Sequence, residues 1–403
     1  MILFAVGNFL FSDESLTDSE TSLLVELGPD DTIEELASTL AYHGAAAEKA
    51  FPAFTLDMDT DLAQVYIVTV PAANARALKR ELSLDTENVD HYELNDQVSV
   101  YDPIVSESGS FDGETVAEDD PLVGNQWALD AIDAHKAHEF LKNAEPARKA
   151  MVAIVDTGVD GRHEDIRSVF TDSPGNVDVH GHGSHCAGIA GAVTNNKIGM
   201  ASLNWEGKFL DVTGYKALND RGMGTIESIA QAVLDASRDG ADVISMSLGG
   251  KAPVAPKTIS DAIRYALKNG AVVIVSAGNS NEDAKYHMPS NVDGVIVVSA
   301  VDESLRKASF SNTNASLKRP IAAPGVNILS LKPGGEYVQM SGTSMSTPVV
   351  SGLVGIMRSL NPDLTADEAY AILKDTGKTL QDSRSIGIMV NANDAIASVV
   401  SGR

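Results

Sequence analysis

Residues 341–360 read SGTSMSTPVVSGLVGIMRSL, a glycine-containing turn followed by an apolar run. Pro348 lacks an N–H and is tolerated in the first turn of a helix, so this stretch predicts a helix that starts beside it and continues to Leu360. The run is apolar on most sides, as in a buried helix. Ser344 is therefore expected where a turn enters that helix. It is either a nucleophile whose own N–H stabilises an oxyanion or an ordinary helix N-cap.

Upstream of this helix, from residue 120 onward, β-branched runs alternate with helical segments. The runs are KAMVAIV, ADVISM, AVVIVSAG and GVIVVSAV. They predict an α/β fold with a parallel sheet covered by helices on both faces, in which a functional site lies at the carboxyl ends of the strands. Asp156, Ser247 and Asn279 directly follow the first three runs. We expect these side chains at one edge of the sheet.

The composition excludes some classes of partner. The chain of 403 residues has 56 acidic and 30 basic side chains, which gives a formal charge of −26. This charge disfavours nucleic acid and anionic membrane surfaces as partners. Cys186 is the only cysteine, so no intramolecular disulfide is possible.

The N-terminal stretch MILFAVGNFLF bears on localisation. It opens without a basic residue and ends without a small-residue cleavage site, so it is interpreted as a strand rather than a signal peptide. It is also too short to span a bilayer. These features favour an intracellular protein, and the alternative is a secreted protein whose signal is absent from this chain.

Residues 1–101 are predicted to form a separate small α+β domain. From residue 21 onward the pattern is β-α-β-β-α-β, a ferredoxin-like order, if residues 50–58 (AFPAFTLDM) supply one strand. Residues 89–101 (VDHYELNDQVSVY) are expected to form the last strand. Residues 102–119 are rich in Ser, Gly, Asp and Glu and are interpreted as an exposed linker. The α/β domain is expected to occupy residues 120–403.

Three polar segments of the α/β domain carry groups suited to acyl transfer. That chemistry needs a nucleophile, a base that takes its proton, and a carboxylate that orients the base. DTGVD offers Asp156, HGHGSHCAG offers three histidines, and SGTSMS offers Ser344, in that chain order.

The same segments resemble the subtilases, the subtilisin family of serine endopeptidases. The matching runs are DTGVDGRHEDI, HGHGSHCAGIAGA, ISMSLGG, SAGNSN and SGTSMSTP, and DPLVGNQWALDAI resembles the start of the mature enzyme. The resemblance spans about residues 120–400, and residues 21–101 resemble the family's inhibitory prodomain. It implies a subtilisin-like fold and a zymogen. The resemblance further implies that the prodomain assists folding and inhibits the enzyme until the enzyme cuts the linker at 102–119.

The resemblance also assigns roles to residues. Asp156 orients the base, His182 is the general base and acid, and Ser344 attacks the substrate. Asn279 and the Ser344 N–H form the oxyanion hole, while His180 and His185 are structural or rim residues.

Substrate binding is implied along two strand edges. The protein or peptide substrate is expected to bind as an extended strand, which places little demand on its sequence. The residues implied to flank it are Gly222, Gly224, Ser247, Leu248 and Gly249. His287, in YHMP, is expected at the floor of the pocket for the residue before the scissile bond, where it narrows the pocket or favours an acidic side chain.

Two further features of the α/β domain can each be interpreted in two ways. Asp120, Asp165 and Asn196 are implied as ligands of a structural Ca²⁺ ion, since hard oxygen ligands suit this cation. The alternative is that they serve only in capping and turns. Cys186 is either a small buried hydrophobic residue or a thiol-sensitive position beside the site.

Two alternatives compete with a self-processed endopeptidase. The first is a pseudoprotease whose prodomain stays docked and which acts as a regulatory binding protein. The second is an esterase or lipase, but such enzymes have a G-x-S-x-G elbow and the order Ser, Asp, His. The order of the three segments here disfavours that class.

Overall fold

The structure is a computed structural model that describes residues 20–101, 103–106 and 119–402. These residues form two compact units that divide between Asp96 and Gln97. The strand expected at residues 1–11 and most of the expected linker lie outside the described residues.

The first unit is a four-stranded antiparallel sheet with the strand order β2-β3-β1-β4. Its elements are β1 (Glu20–Leu27), α1 (Ala37–His43), β2 (Ala46–Lys49), α2 (Thr60–Ala63), β3 (Val65–Pro71), α3 (Ala72–Leu82) and β4 (Val89–Leu94). Leu23, Val68 and Leu78 are fully buried in its core. The ferredoxin-like order predicted from the sequence is therefore confirmed.

Two strands of this unit differ from the expectation. The strand expected at residues 50–58 is instead β2, and residues 50–58 form turns. Pro52 lies in those turns and could not have donated a hydrogen bond to a neighbouring strand. The run from residue 89 to 101, expected as one strand, is broken after Leu94, and its second half belongs to the other unit.

The second unit is built on an eight-stranded parallel sheet with the order β21-β18-β17-β15-β13-β7-β11-β8. These strands are β7 (Ala150–Asp156), β8 (Phe170–Thr171), β11 (Leu210–Lys216), β13 (Val243–Met246), β15 (Val272–Ser276), β17 (Ile296–Val301), β18 (Pro320–Pro324) and β21 (Ile388–Met389). The remaining strands form smaller sheets at its rim. They are β5 (Gln97–Val100), β6 (Ile104–Ser106), β9 (Val193–Thr194), β10 (Asn204–Trp205), β12 (Met223–Thr225), β14 (Leu248–Lys251), β16 (His287–Met288), β19 (Ile328–Lys332) and β20 (Glu336–Ser341).

Helices cover the sheet, as the alternating pattern predicted. They are α4 (Trp127–Ala131), α5 (Ala134–Leu141), α6 (His182–Gly191), α7 (Ile226–Arg238), α8 (Lys257–Lys268), α9 (Thr343–Leu360), α10 (Ala366–Thr376), α11 (Ser383–Ile386) and α12 (Ala392–Ser401). Helices α6 and α9 pack together, and α9 lies against β7, β13, β15 and β17, whereas α7 and α8 form a separate layer. Among the described residues, no helix combines the length and apolarity needed to cross a bilayer.

Helix α9 begins earlier than the sequence predicted. It starts at Thr343, so Ser344 lies in its first turn and Pro348 in its second. The proline leaves the carbonyl of Ser344 without its usual helical donor. That oxygen instead accepts from the Ser247 hydroxyl at 2.9 Å and the Cys186 thiol at 3.5 Å. Side chains from elsewhere in the chain thus replace the missing helical bond.

Candidate active site

Asp156 and His182 form a buried pair at the carboxyl edge of the parallel sheet. Asp156 is the last residue of β7, and His182 opens α6. The Nδ1 atom of His182 lies 2.8 and 2.9 Å from the two carboxylate oxygens. Burial alone would lower the pKa of His182, but the neighbouring Asp156 carboxylate outweighs it and raises that pKa above its usual value. The pair therefore has the geometry of an oriented base.

Ser344 is fully buried nearby, but its hydroxyl points elsewhere. Its Oγ donates to the carbonyl oxygen of Ser247 at 3.2 Å. The other ring nitrogen of His182, Nε2, is buried and has no hydrogen-bond partner within the described part of the chain. Cys186 is near both residues, with its sulfur 4.0 Å from His182 Nδ1 and 3.5 Å from the Ser344 carbonyl oxygen. The structure thus brings Asp156 and His182 into contact and places Ser344 close to them without a bond to the imidazole.

Asn279 faces the first turn of α9. Its amide oxygen accepts from the Thr343 N–H and hydroxyl, both at 2.9 Å. This arrangement orients the amide and leaves its NH₂ end as the donor. A Cβ atom built on Gly342 would lie 3.1 Å from that nitrogen, so glycine keeps the space beside it open. The site therefore holds a side-chain N–H donor next to the N-terminus of the helix that carries Ser344.

A segment of the chain itself occupies the groove that the sequence predicted for substrate. Strand β5 lies between β12 and β14 and is antiparallel to both. Ser99 faces Met223 on one side and Gly249 on the other, and the Val100 N–H donates to the Gly222 carbonyl at 2.9 Å. Four of the predicted residues therefore pair with or hydrogen-bond to β5: Gly222, Gly224, Leu248 and Gly249. Ser247 takes no part in the pairing and bonds to Ser344 instead.

Tyr101 follows β5, and its side chain lies beside His287, the residue expected at the floor of the pocket. The phenol oxygen lies 3.5 Å from the Met288 carbonyl, and the ring centroids of Tyr101 and His287 are 6.4 Å apart. Burial raises the pKa of Tyr101, so the phenol stays neutral. His287 is buried, and its Nε2 lies 3.3 Å from a carboxylate oxygen of Glu282. His287 is therefore buried beside Tyr101 and hydrogen-bonded to Glu282, and its expected effect on side-chain preference stays a prediction.

The three residues expected to bind calcium lie together, and each is already hydrogen-bonded. Both oxygens of Asp120 accept backbone N–H groups of residues 195–197 at 2.6–3.1 Å. Asp165 accepts from the Asn196 amide at 2.9 Å and from the Met200 N–H at 2.8 Å. Burial raises the pKa of Asp165 to about 7, and the Asp120 carboxylate adds to the rise. Two buried carboxylates suit a Ca²⁺ ion, but the nitrogen end of Asn196 faces Asp165, as in turn chemistry.

Sequence reasoning missed two residues that lie at this site. Tyr101 closes an alternating run, a pattern that indicates a strand but not where the strand binds. Asp178 precedes His182 by four residues in an irregular loop, where an acidic side chain gives no signal of its role. In the structure it is buried and accepts hydrogen bonds around the Asp156–His182 pair.

Comparison with known proteins identifies the family. Residues 147–389 match the family model described as the subtilase family, more than half of the chain. The chain belongs to the subtilase family. It is a subtilisin-like serine endopeptidase, as its relatives' names indicate. Subtilisin DY from Bacillus licheniformis is 35% identical over 258 residues, which cover 62% of this chain and 90% of that one. Thermitase from Thermoactinomyces vulgaris is 38% identical over 241 residues, 58% of this chain and 82% of thermitase.

Two further matches differ in how much of each chain they cover. The Thermophilic serine proteinase of Bacillus sp. (strain AK1) is 39% identical over 215 residues, and the match spans 52% of each chain, about half the length of that relative. A solved structure of a protease from Pseudoalteromonas arctica PAMC 21717 has a TM-score of 0.62 and 27% identity. The match covers 70% of this subtilase and 100% of that chain. The predicted fold class is thus confirmed.

Proposed function

We propose that this subtilase hydrolyses peptide bonds through Asp156, His182 and Ser344 and that it is made as a zymogen that cuts itself. The observation that carries the proposal is the position of β5, which lies as an added strand between β12 and β14, with the Tyr101 hydroxyl 3.5 Å from the Met288 carbonyl. A chain held in this way has the extended geometry of a bound substrate.

The proposed first step is attack by Ser344. Its hydroxyl turns from the Ser247 carbonyl toward His182 Nε2, the buried nitrogen that has no partner in the described structure. His182 takes the proton as Oγ forms its bond to the substrate carbonyl carbon, and Asp156 stabilises the imidazolium. The imidazolium then protonates the leaving amine. Water deacylates the enzyme by the same proton transfers in reverse, and a placed imidazole typically contributes about 10²–10⁴ in rate.

The charge that develops on the substrate oxygen needs donors fixed in advance. We assign this role to the NH₂ of Asn279 and the N–H of Ser344, which face the open space beside Gly342. Since Thr343 holds the Asn279 amide by two hydrogen bonds, little reorganisation is needed when the charge appears.

The zymogen proposal names the bond after Tyr101 as the one that is cut. Segments on both sides of it pair with other strands of the second unit: β5 with β12 and β14, and β6 with β20. Strand β20 ends at Ser341, just before the helix that carries Ser344. Incubated wild-type chain is expected to yield fragments 1–101 and 102–403 by intact mass, and the Ser344→Ala variant is expected to stay whole. Equal processing of both chains would contradict self-cleavage.

The pseudoprotease alternative is favoured by one observation, the hydrogen bond from Ser344 Oγ to Ser247 rather than to His182. In that case the first unit stays attached as a permanent partner instead of an inhibitor that is removed. A fluorophosphonate probe separates the two proposals, because only an activated serine reacts with it. Labelling that Ser344→Ala abolishes supports the protease, and an unlabelled wild-type chain supports the alternative.

A structural Ca²⁺ ion is a further part of the proposal. Asp120 and Asp165 would hold it by carboxylate oxygens, together with Asn196 if its amide turns. The ion would join the start of the catalytic unit to the loop after α6 and would take no part in the chemistry. A cation that binds the folded state raises the melting temperature. We expect a higher melting temperature in Ca²⁺ than in chelator for Ser344→Ala, and no difference once Asp165→Asn is added. Equal melting temperatures in Ca²⁺ and chelator without Asp165→Asn would exclude the site.

A further inference from the structure

A second buried carboxylate, Asp178, lies beside the Asp156–His182 pair. It is only 7% exposed. One of its oxygens accepts from the Thr157 hydroxyl at 2.9 Å and from the Gly181 N–H at 2.8 Å. The other accepts from the N–H of Ser184 at 2.9 Å and from its hydroxyl at 2.6 Å. Asp178 thus gathers four donors from the two segments that carry the proposed base and its carboxylate.

These donors belong to the immediate neighbours of Asp156 and His182. Thr157 follows Asp156, and its N–H donates to the Asp156 carboxylate at 2.8 Å. Its hydroxyl donates to Asp178 and also accepts the N–H of Gly183, the residue after His182, at 3.0 Å. Asp178 and Thr157 together therefore connect the end of β7 to both sides of His182.

We propose that Asp178 is a positioning residue that fixes Asp156 and His182 relative to each other, acting through Thr157 and the first turn of α6. The inference rests on the proposed function, because it assumes that the Asp156–His182 pair is the working base. A misplacement of about 1 Å between reacting groups can cost about 10² in rate. Asp178 holds both Asp156 and His182 in place, so its loss is expected to lower turnover by a comparable factor although it does not contact the substrate.

Two acceptor oxygens are needed at Asp178 for this role because of where its donors lie. The Gly181 N–H meets one oxygen and the Ser184 N–H meets the other, and neither backbone donor can rotate away. An asparagine in place of Asp178 turns its NH₂ toward one of them in either orientation. A donor then faces a donor, and the unmade bond displaces the loop before His182 or the start of α6.

The test uses the full chain and two readouts. The first is the first-order rate of self-cleavage, measured by intact mass. We expect Asp178→Asn and Thr157→Val to slow it about 10²-fold and Thr157→Ser, which keeps the hydroxyl, to restore it to near the wild-type rate. With a peptide substrate, the same loss is expected in kcat with KM unchanged, because the substrate groove is untouched.

The second readout is the far-downfield proton resonance of His182 Nδ1–H, recorded in the uncleaved Ser344→Ala chain. It reports the His182–Asp156 bond directly and should shift or broaden in Asp178→Asn and Thr157→Val. Thr157→Ser should leave it in place. Asp242→Asn, which changes a buried carboxylate at the opposite edge of the sheet, is the matched control for lost stability and should also leave it unchanged.

The outcomes separate the inference from the proposed function. The positioning role is overturned if the wild-type chain cleaves itself and Asp178→Asn keeps both the wild-type rate and the wild-type resonance. Slow self-cleavage of Thr157→Ser overturns it as well. If Asp178→Asn fails to fold, Thr157→Val decides the question by the same two measurements. A wild-type chain that cleaves nothing contradicts the proposed function instead, and the resonance alone then supports or overturns the positioning role.

Discussion

Two buried aspartates at opposite edges of the same parallel sheet have different partners. Asp156 ends β7 at the carboxyl edge and holds the imidazole of His182. Asp242 precedes β13 at the amino edge, where it accepts from both outer nitrogens of Arg148, at 2.7 and 2.5 Å, and from Arg358 at 3.2 and 3.3 Å. Asp242 also accepts the Met151 N–H at 3.0 Å.

The two aspartates differ in whether the partner side chain can change its charge. Burial raises the pKa of Asp242, but the Arg148 guanidinium outweighs it and holds that pKa below its usual value. Arginine stays charged, so the ion pairs of Asp242 persist and contribute to the stability of the fold. His182 can change its charge, and its outer nitrogen has no partner among the residues that the structure describes. A carboxylate paired with a permanent cation stabilises the fold, whereas one paired with an imidazole prepares a base.

The largest effect is expected from removing the charge at the carboxyl edge. Asp156→Asn should lower kcat about 10⁴-fold, the size found for this change in other Ser-His-Asp proteases, because the imidazole loses its tautomer and its counter-charge. The Asp156 carboxylate is also what raises the pKa of His182. Without it burial dominates and the pKa falls. Since the base must be neutral, the acidic limb of the kcat/KM profile should move to lower pH.

The kcat/KM of wild type and Asp156→Asn is measured with a peptide substrate across the pH range. The two processed fragments of each chain are prepared separately, so that the measurement does not depend on self-cleavage. Asp242→Asn is the control, because it removes a buried charge from the other edge. A residual activity whose acidic limb stays at the wild-type pH would show that Asp156 does not set the pKa of His182.

A smaller effect is expected from Asn279, which carries no charge. Asn279→Ala should lower kcat about 10²–10³-fold with little change in KM, the range found for an oxyanion-hole asparagine in subtilisin, because its N–H acts only when charge develops. Asn314 is the matched control, since its buried amide donates to the Val297 carbonyl of β17 and the Ile321 carbonyl of β18, at 2.7 and 2.9 Å. Asn314→Ala should reduce stability and leave kcat unchanged. Equal losses of kcat in the two variants would argue against an oxyanion role.

Most of the fold and the location of the carboxyl-edge site could be predicted from the sequence for a common reason. The β-branched runs of β7, β13 and β15 indicate a parallel sheet, and a parallel sheet brings the ends of its strands to one edge. Asp156, Ser247 and Asn279 lie at that edge, as expected from their positions after the runs.

What the sequence did not predict depends on partners that are distant along the chain. The predicted start of α9 was wrong because Ser247 and Cys186 donate to the carbonyl that loses its helical hydrogen bond at Pro348. No local pattern contains that compensation. Strand β5 was assigned to the first unit because its alternation indicates a strand but not which edge it joins. Asp178 was missed for the same reason, since its donors come from both sides of the site.

The smallest effect on turnover is expected at the amino edge, where Asp242→Asn should leave kcat unchanged and destabilise the fold. Breaking a buried ion pair costs about 3–5 kcal/mol, because Arg358, only 11% exposed, is left without its carboxylate. The free energy of unfolding is measured by denaturant in the Ser344→Ala chain, which cannot digest itself. Because folding lowers the pKa of Asp242, its contribution is present above the unfolded pKa and is lost as pH falls through the folded one. Asp242→Asn should remove that part of the acid sensitivity. If it instead lowered kcat at full stability, the two edges of the sheet would be coupled, and stability and reactivity could not be assigned to them separately.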